Sequence, residues 1–344
     1  MGTCESALNQ MEIRRSNTKI SSKHQHSLSV FSALSSNQIS LNNIPKIDNP
    51  YILPPNITIY DDVTKKYNVY QKEIGSGITA KVFIATNSKK QQFAIKRIIK
   101  SKIFDKKRIL IEAEISMRLK NQNILNYYEI YEDDYYISYV MENGDMDLFD
   151  FIKRCPLGRI PDPVAIDLIY QILNAISYLH ENNIIHCDIK PENFVIVFDK
   201  NNNPIVKLLD FGNAIYKNKY KIESKNFRGT EFYKAPEIFG NSYFNEKVDE
   251  WGVGIIMFMM LTGTEPFKET GNLENNIKFE NVNFNKIGNQ ILREINEKLL
   301  CRDPNKRISA KEGMMILRNI KSLGGLRKNE NNLKNTKIGF HNFD

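Results

Sequence analysis

The chain has 344 residues, of which 41% are hydrophobic, and this is enough apolar material to bury a sizeable core in one or two domains. Its formal net charge of +8 suits an anionic partner such as a nucleotide phosphate, an acidic lipid or a nucleic acid, but charge alone does not choose among them. Four scattered cysteines without a CxxC pair predict neither a zinc site nor a disulfide framework and favour a reducing compartment.

Residues 1–66 are rich in Ser, Asn and Gln, and their apolar residues keep no sustained period, which predicts a mostly disordered arm. The arm begins M-G-T-C-E-S and fits M-G-x-x-x-[ST], which predicts Gly2 as an N-myristoyl acceptor and Cys4 as a site for a palmitoyl chain. One myristoyl chain binds a bilayer only marginally, so the second lipid matters. We therefore expect a cytoplasmic protein held at the inner leaflet of a membrane; the alternative is a soluble disordered arm.

From Tyr67 onward, short strand-like runs broken by glycine and asparagine predict a small β-rich lobe. One turn in this lobe fits G-x-G-x-x-G-x-V, except that alanine replaces the third glycine. Glycines allow backbone N–H groups to approach phosphates closely, although an ordinary hairpin would contain the same residues. The residues of this predicted ATP-binding loop are Ile74, Gly75, Ser76, Gly77, Ile78, Thr79, Ala80, Lys81 and Val82.

A lysine follows this loop at the distance expected for the next strand but one, in the run Phe93-Ala94-Ile95-Lys96. Lys96 would pair with the phosphates, and it needs a carboxylate from the following predicted helix to hold it in place. Glu112 and Glu114 are the candidates, and counting back from Asn123 favours Glu112. A solvated surface glutamate is the alternative for either residue.

Helices dominate the second half of the chain. Residues 163–180 carry apolar side chains at helical spacing, and the apolar run at residues 251–261 is too short for a bilayer and predicts a buried helix. Residues 321–344 are polar and basic again and predict a tail. Residues 67–320 therefore predict an α+β fold, with a small β-rich lobe followed by a larger α-helical lobe.

Two motifs in this second lobe carry most of the chemical content. Residues 186–193 read H-C-D-I-K-P-E-N and fit H-x-D-x-K-x-x-N, and residues 210–212 read D-F-G. With the Gly-rich loop and its lysine, in this order, they resemble the motifs of eukaryotic protein kinases. The A-P-E triplet at 235–237, D-x-W-x-x-G at 249–254 and Arg307 extend the resemblance. It is nearest to the calcium/calmodulin-dependent and calcium-dependent Ser/Thr kinases, for the catalytic domain alone and without EF-hands, and it implies the bilobal protein-kinase fold.

The resemblance implies transfer of the γ-phosphoryl group of ATP, the co-substrate, to protein Ser or Thr with Mg²⁺ as cofactor. The catalytic residues that it implies are Asp188, Lys190, Lys96 and Glu112. Asp188 would accept the proton of the substrate hydroxyl, and Lys190 would steady the transferred group. Asn193 and Asp210 would hold the magnesium ions.

The same resemblance implies where the nucleotide binds. Met141 would be the gatekeeper beside the adenine pocket. Backbone groups near Glu142 and Gly144 would bind adenine, and Asp147 would bind the ribose.

The substrate side of the site follows from charge. Asp147 and Glu192 match the two carboxylates that family members use to bind a basic residue three positions before the target Ser or Thr, with ribose contact or solvation as the alternative for Asp147. Thr230, just before A-P-E, favours Ser/Thr specificity. Protein substrates are therefore the expected partners besides the membrane. Nucleic acid is not expected, and the sequence predicts no oligomeric state.

Three departures from the family pattern bear on regulation. Cys187 replaces the arginine that normally binds an activation-loop phosphate, and Asn226 occupies the usual phosphoacceptor position, so we hypothesise that this loop is ordered without phosphorylation. Ser116 places a hydroxyl in an internal spine that is usually apolar. With Ala80 and Cys187 it motivates the alternative of a membrane-tethered pseudokinase or scaffold. The full catalytic set argues against that alternative, because a scaffold has no chemical need for it.

Overall fold

A computed structural model describes residues 57–322, apart from 78, 104, 218–221 and 241–242. The predicted acylation sites Gly2 and Cys4, residue Ile78 of the Gly-rich loop and the segment 323–344 lie outside the described residues. Within the described part, the α+β architecture predicted from the sequence, with a β-rich first lobe and a helical second lobe, is confirmed.

The first lobe is built on a six-stranded sheet with the order β1-β5-β6-β4-β3-β2. Its strands are β1 (Ile59–Tyr60), β2 (Asn68–Ser76), β3 (Ala80–Thr86), β4 (Gln92–Ile99), β5 (Tyr127–Glu132) and β6 (Tyr136–Met141). All neighbouring strands are antiparallel except β1 and β5. Helix α1 (Lys106–Arg118) lies between β4 and β5 in the chain, within the range of the predicted helix.

The ordered lobe begins before residue 67, so residues 57–66 differ from the prediction of an arm that extends to residue 66. Strand β1 pairs in parallel with β5, and Val63 is completely buried in an apolar cluster of the sheet. Asp62 is the N-cap of the short helical turn Val63–Lys65, since its Oδ1 atom accepts a hydrogen bond from the N–H of Thr64 at 2.8 Å. A two-residue strand and one buried valine produce no periodicity, and composition therefore does not reveal them.

The second lobe is mainly helical. Its helices are α2 (Leu148–Arg154), α3 (Asp162–Glu181), α4 (Lys247–Thr262), α5 (Leu273–Phe279), α6 (Gln290–Leu299) and α7 (Ala310–Ser322). Its short strands are β7 (Met146–Asp147), β8 (Ile184–Ile185), β9 (Phe194–Phe198), β10 (Pro204–Leu208), β11 (Ile215–Tyr216), β12 (Ile222–Glu223) and β13 (Tyr243–Phe244). They form the sheet β10-β9-β7 and the pairs β11-β8 and β12-β13.

Helix α4 is the core of this lobe, and every residue from Val248 to Leu261 is buried. Two glycines in it allow close approach of neighbouring segments. A Cβ atom at Gly252 would lie 2.7 Å from the Cβ of Ile189, which belongs to the H-x-D loop. No helix among the described residues combines the length and the apolarity needed to cross a bilayer.

A buried ion pair joins the A-P-E segment to the end of the lobe. Nη1 and Nη2 of Arg307 donate to the two carboxylate oxygens of Glu237 at 2.7 and 3.0 Å, and Nη1 also donates to the carbonyl of Lys247. The Arg307 side chain has no exposed surface, so its charge depends on partners within the fold, which also include the carbonyl of Cys301, a 2.9 Å acceptor for Nε.

Candidate active site

Lys96 is the centre of a charged triad at the boundary between the lobes. It lies on β4, and its Nζ atom contacts Glu112 Oε1 at 2.7 Å and Asp210 Oδ1 at 2.8 Å. The carboxylate predicted to hold the lysine is thus placed against it. Glu112 is buried on α1, whereas Glu114 is partly exposed.

Burial and charge act in opposite directions on this triad. Burial alone would lower the pKa of Lys96, but the Asp210 and Glu112 carboxylates outweigh it and raise that pKa. Burial raises the pKa of Glu112. For Asp210 burial is again opposed by Lys96, and the net effect lowers its pKa to about 2. Lys96 and Asp210 are therefore both charged at neutral pH, which is the state needed to bind phosphates and a cation.

Asp188 is held from several directions. Its Oδ1 atom accepts two hydrogen bonds from Thr230, one from the backbone N–H and one from the hydroxyl, both at 2.8 Å. Lys190 Nζ donates to the same hydroxyl at 2.9 Å and lies 3.5 Å from Asp188 Oδ2. Burial would raise the pKa of Asp188, but the Thr230 bonds and the Lys190 charge outweigh it and lower that pKa, so the carboxylate is ionised and aligned.

Helix α4 fixes the H-x-D loop through the side chain of Asp249. Asp249 accepts the backbone N–H groups of His186 and Cys187 at 2.8 and 2.9 Å. Its carboxylate also contacts the Nε2 atom of His180, on α3, at 2.9 Å. Cys187 adopts a left-handed backbone conformation with φ of 64°, which is uncommon for a residue other than glycine. Asp249, the first residue of the D-x-W-x-x-G motif, therefore stabilises the unusual backbone that presents Asp188.

Cys187 and Gly229 make a close backbone contact. A Cβ atom at Gly229 would lie 2.0 Å from the Cys187 carbonyl oxygen, so only glycine allows Thr230 to reach Asp188. Burial raises the pKa of the Cys187 thiol, which is consequently neutral and offers no charge to a phosphate.

The adenine side of the cleft is formed by the segment after β6. The backbone N–H of Glu142 donates to the carbonyl of Asn126 at 2.8 Å, so at Glu142 the carbonyl oxygen is the group that can meet a base. A Cβ atom at Gly144 would lie 1.9 Å from Val195 Cγ2, which places strand β9 directly against this segment. Met141, the predicted gatekeeper, is buried at the end of β6. Val195, which was not predicted, packs against the segment predicted to bind adenine.

Two carboxylates of this region have structural partners as well. Asp147 caps helix α2, since its Oδ1 atom accepts the N–H of Asp150 at 2.8 Å, and burial raises its pKa. Glu142 Oε2 accepts from Lys207 Nζ at 2.9 Å and from the Asn126 amide at 2.8 Å. Lys207 lies on β10, and no short sequence motif connects it with Glu142.

Strands β2 and β3, which flank the Gly-rich loop, pair in antiparallel fashion with register shifts between Val69 and Gly75. Gly77 N–H donates to the Ala80 carbonyl at 2.8 Å. Ala80 already belongs to β3 and pairs with Ile98, so the third position of the glycine motif has strand geometry here and tolerates a methyl group. Lys81 pairs with Glu73 across the hairpin at 2.7 Å.

Ser116 lies fully buried on α1, and its hydroxyl has no hydrogen-bond partner in the described part of the chain. The Lys96–Glu112 contact nevertheless forms. Behind it, the ring of Tyr127 packs near Phe211 with centroids 6.4 Å apart, and its hydroxyl accepts the N–H of Asp210 at 3.3 Å.

The residues predicted to bind magnesium fit a hard cation. Asn193 Nδ2 donates to the Asp188 carbonyl at 2.7 Å, so the oxygen of its amide is the atom left to face a metal. Asp210 contributes an ionised carboxylate whose side chain is 40% exposed. Among the described residues no three His, Cys, Asp or Glu side chains gather as a metal site. Asn193 and Asp210 offer the oxygen ligands that Mg²⁺ prefers, and Mg²⁺ that binds together with phosphates commonly needs only one or two protein ligands.

This arrangement of two lobes, a lysine held by two carboxylates and a buttressed H-x-D loop defines the class. Residues 68–316 match the protein kinase domain family, and the chain belongs to that family.

Several relatives share this region. The chain is 32% identical over 260 residues to calcium-dependent protein kinase 3 of Plasmodium yoelii yoelii. The matched region covers 72% of this chain and 47% of that protein. It is 34% identical over 225 residues to serine/threonine-protein kinase D2 of Homo sapiens, covering 63% and 25%. It is 32% identical over 290 residues to the protein named probable serine/threonine-protein kinase fhkD of Dictyostelium discoideum, covering 77% and 38%. The chain thus spans less than half the length of each of these relatives.

Proposed function

We propose that the chain transfers the γ-phosphoryl group of Mg-ATP to serine or threonine side chains of proteins. One observation carries the proposal: Thr230 joins Asp188 and Lys190 while Lys96 is held between Glu112 and Asp210. Both halves of a phosphoryl-transfer site are therefore assembled. Relatives with serine/threonine kinase names support the same activity.

Each of these residues has a task that its geometry permits. Lys96, fixed by Glu112, can bind the phosphates without losing its position. Asp188 can orient the substrate hydroxyl and accept its proton, because its carboxylate is ionised and anchored by Thr230. Lys190 lies beside Asp188 and Thr230 and can neutralise negative charge on the phosphoryl group during transfer. Positioning and electrostatic stabilisation provide most of the catalysis in such a reaction.

Magnesium would be held by Asn193 and Asp210. Its contribution would be to neutralise charge on the phosphates. Asp210 is suited to this because its low pKa keeps it ionised throughout the physiological range.

The decisive experiment measures ³²P transfer from Mg-ATP to a library of basic Ser/Thr peptides by the wild-type chain and by Asp188→Asn and Asp210→Asn. Asp134→Asn, at an exposed position on the β5–β6 turn, is the matched control. Transfer by wild type and control that is lost in both site variants supports a kinase. No transfer by wild type, with nucleotide binding retained, would favour a scaffold instead.

We also propose that activity does not require phosphorylation of the activation loop, here called the activation segment, which lies between D-F-G at 210–212 and A-P-E at 235–237. Short strand pairs hold this segment to the lobe, β11 on β8 and β12 on β13. Ser224, the nearest hydroxyl to the usual phosphoacceptor position at Asn226, is buried and donates to the carbonyl of Gly240. Phosphatase-treated and untreated protein should transfer phosphate at the same rate, and a large loss on treatment would exclude this part of the proposal.

The proposed substrate carries a basic residue three positions before the target. Asp147 and the exposed Glu192 are the carboxylates that would bind it. Burial raises the pKa of Tyr233, and the charges of Glu192, Glu265, Glu269 and Asp188 add to this effect, so Glu192 and Asp188 belong to a region of negative charge around Tyr233. An acidic entrance favours cationic peptides. In the same peptide library, equal rates with and without the basic residue would remove this preference.

Attachment to the inner leaflet of a membrane, at its cytoplasmic face, is proposed from the sequence of the arm. Gly2 would be myristoylated and Cys4 palmitoylated, and the two chains together would provide stable anchoring. The basic residues that follow would add attraction to anionic lipid.

A further inference from the structure

Arg108 stands in an electrostatically unfavourable place. It is the third residue of α1, after Lys106 and Lys107, and the first turn of this helix contains no acidic residue. Cations near a helix N-terminus face the positive end of the helix dipole. Contacts outside the helix must therefore compensate for the position of Arg108.

Those contacts are with the residues of the D-F-G segment. Arg108 Nη1 donates to Asn213 Oδ1 at 3.0 Å and approaches the Gly212 carbonyl at 3.5 Å. Arg108 also has an ion-pair contact with Asp105, between Nε and Oδ2, at 3.8 Å. The shortest of the three distances is to the asparagine amide.

Asn213 passes this contact on to the catalytic carboxylate. A guanidinium only donates hydrogen bonds, so it fixes the oxygen end of the amide toward α1 and leaves the nitrogen end for an acceptor. Asn213 Nδ2 accordingly donates to Asp188 Oδ2 at 3.3 Å, beside the Asn193 amide at 3.2 Å. A continuous chain of hydrogen bonds thus connects α1, which carries Glu112, with Asp188.

Arg108 on α1 acts electrostatically on the H-x-D loop, which has no arginine before Asp188. Burial raises the pKa of the Cys187 thiol, and the positive charge of Arg108 opposes this effect, which places the guanidinium within electrostatic reach of Cys187. Two further contacts hold α1. Tyr139 donates to the Ile109 carbonyl at 3.3 Å, and the Arg118 guanidinium lies 5.6 Å from the centre of the Tyr216 ring. Neither of these two contacts is made with Asp188 itself.

We propose that Arg108 and Asn213 are positioning residues that couple helix α1 to Asp188 and so hold the active arrangement without a phosphate on the activation segment. The inference rests on the proposed kinase function and names an element of its regulation. Arg108 contacts neither Asp188 nor Lys96, and of these two Asn213 reaches only the Asp188 carboxylate, which it would orient. Their effect is exerted through Glu112 and Asp188.

The test measures the single-turnover rate of phosphoryl transfer by the phosphatase-treated full chain. Arg108→Gln and Asn213→Ala should each lower this rate about tenfold, the factor expected for one hydrogen bond of a charged group, with the KM for ATP changed less than about twofold. The double variant should also be only about tenfold slower, because both residues belong to one relay. A double variant slower by the product of the two single effects would overturn the relay.

Two more variants separate the relay from a merely structural role. Arg108→Lys keeps a cation and should recover part of the rate lost in Arg108→Gln. Asp105→Asn removes the carboxylate that contacts Arg108 and should leave the rate close to that of wild type. A loss in Asp105→Asn as large as in Arg108→Gln would show that Arg108 acts at the helix terminus alone, and would refute the proposal.

Hydrogen exchange provides a readout that does not need activity. Backbone amides of residues 110–118 should exchange severalfold faster in Arg108→Gln and Asn213→Ala than in wild type or Asp105→Asn. If the wild-type chain transfers no phosphate, the kinase function fails, yet faster exchange in both variants would still support the coupling. Unchanged exchange in both would overturn the coupling whatever the activity.

Discussion

Replacement of His180 by glutamine should abolish most of the pH dependence of stability between about pH 7 and pH 10. The His180 side chain is 12% exposed, and its two ring nitrogens contact Asp249 at 2.9 Å and Glu250 at 3.3 Å. Burial would lower its pKa, but the hydrogen bonds and charges of the two carboxylates raise it from 6.5 to about 10.

The direction of the change in stability follows from the difference between the folded and unfolded pKa values of His180. Because the folded-state pKa is above the unfolded one, the stabilisation is complete below the unfolded value and is lost as the pH rises through the folded value. A shift of this size corresponds to at most roughly 5 kcal/mol at 1.36 kcal/mol per pKa unit. Domains are stable by only about 5–15 kcal/mol, so the loss should be easily measured.

The assay is urea unfolding of wild type and His180→Gln at about pH 7 and about pH 9.5, where the wild type should lose roughly 3 kcal/mol between the two conditions. The variant should already be less stable at the lower pH, because Asp249 and Glu250 lose their buried cation, and should change little on going to the higher pH. Lys311→Gln, which removes the exposed contact with Glu181, is the control and should behave like wild type. An equal loss in wild type and His180→Gln would refute this account.

Three further outcomes are expected. Gly229→Ala should slow phosphoryl transfer at least about a hundredfold in peptide assays without unfolding the chain by circular dichroism, since its methyl group would collide with the Cys187 carbonyl and displace Thr230; a rate near that of wild type would show that the backbone can adjust. Arg307→Gln should lower the free energy of unfolding by roughly 3–5 kcal/mol, because it leaves the Glu237 carboxylate without its cation; an unchanged urea midpoint would contradict this. Gly2→Ala should abolish incorporation of labelled myristate by an N-myristoyltransferase and sedimentation with anionic vesicles; vesicle binding that persists in the variant would assign it to the basic residues instead.

Much of the site was predictable because its chemistry restricts the residue types. Phosphoryl transfer needs a lysine, a base and oxygen ligands in fixed order, and the short spacing within H-x-D-x-K-x-x-N and D-F-G sets their relative positions locally. The choice of Glu112 over Glu114 came from counting back from Asn123, and the structure places Glu112, not Glu114, against Lys96. Val195 was missed because an apolar strand residue has no chemical mark, although its pairing with Asp147 in the β9–β7 ladder places it under the pocket.

The contacts that were not predictable join common residue types across long stretches of chain. Arg108 and Asn213 are 105 residues apart, and Glu142 and Lys207 are 65 apart. An arginine in a basic run near the start of a helix is more often a solvated cation, so only the fold distinguishes Arg108.

The position of Arg108 also explains how Cys187 can be accommodated. Where the family usually has an arginine, Cys187 places a neutral thiol in the loop that presents Asp188. By itself, this loss of a positive charge predicts a weaker or regulated enzyme. The guanidinium of Arg108 restores a positive charge to the same region from helix α1, and Asn213 converts that charge into a hydrogen bond to Asp188. If Arg108 and Asn213 couple α1 to Asp188 as proposed, Cys187 would not inactivate the site, and control of Asp188 would pass from the activation segment to the position of α1.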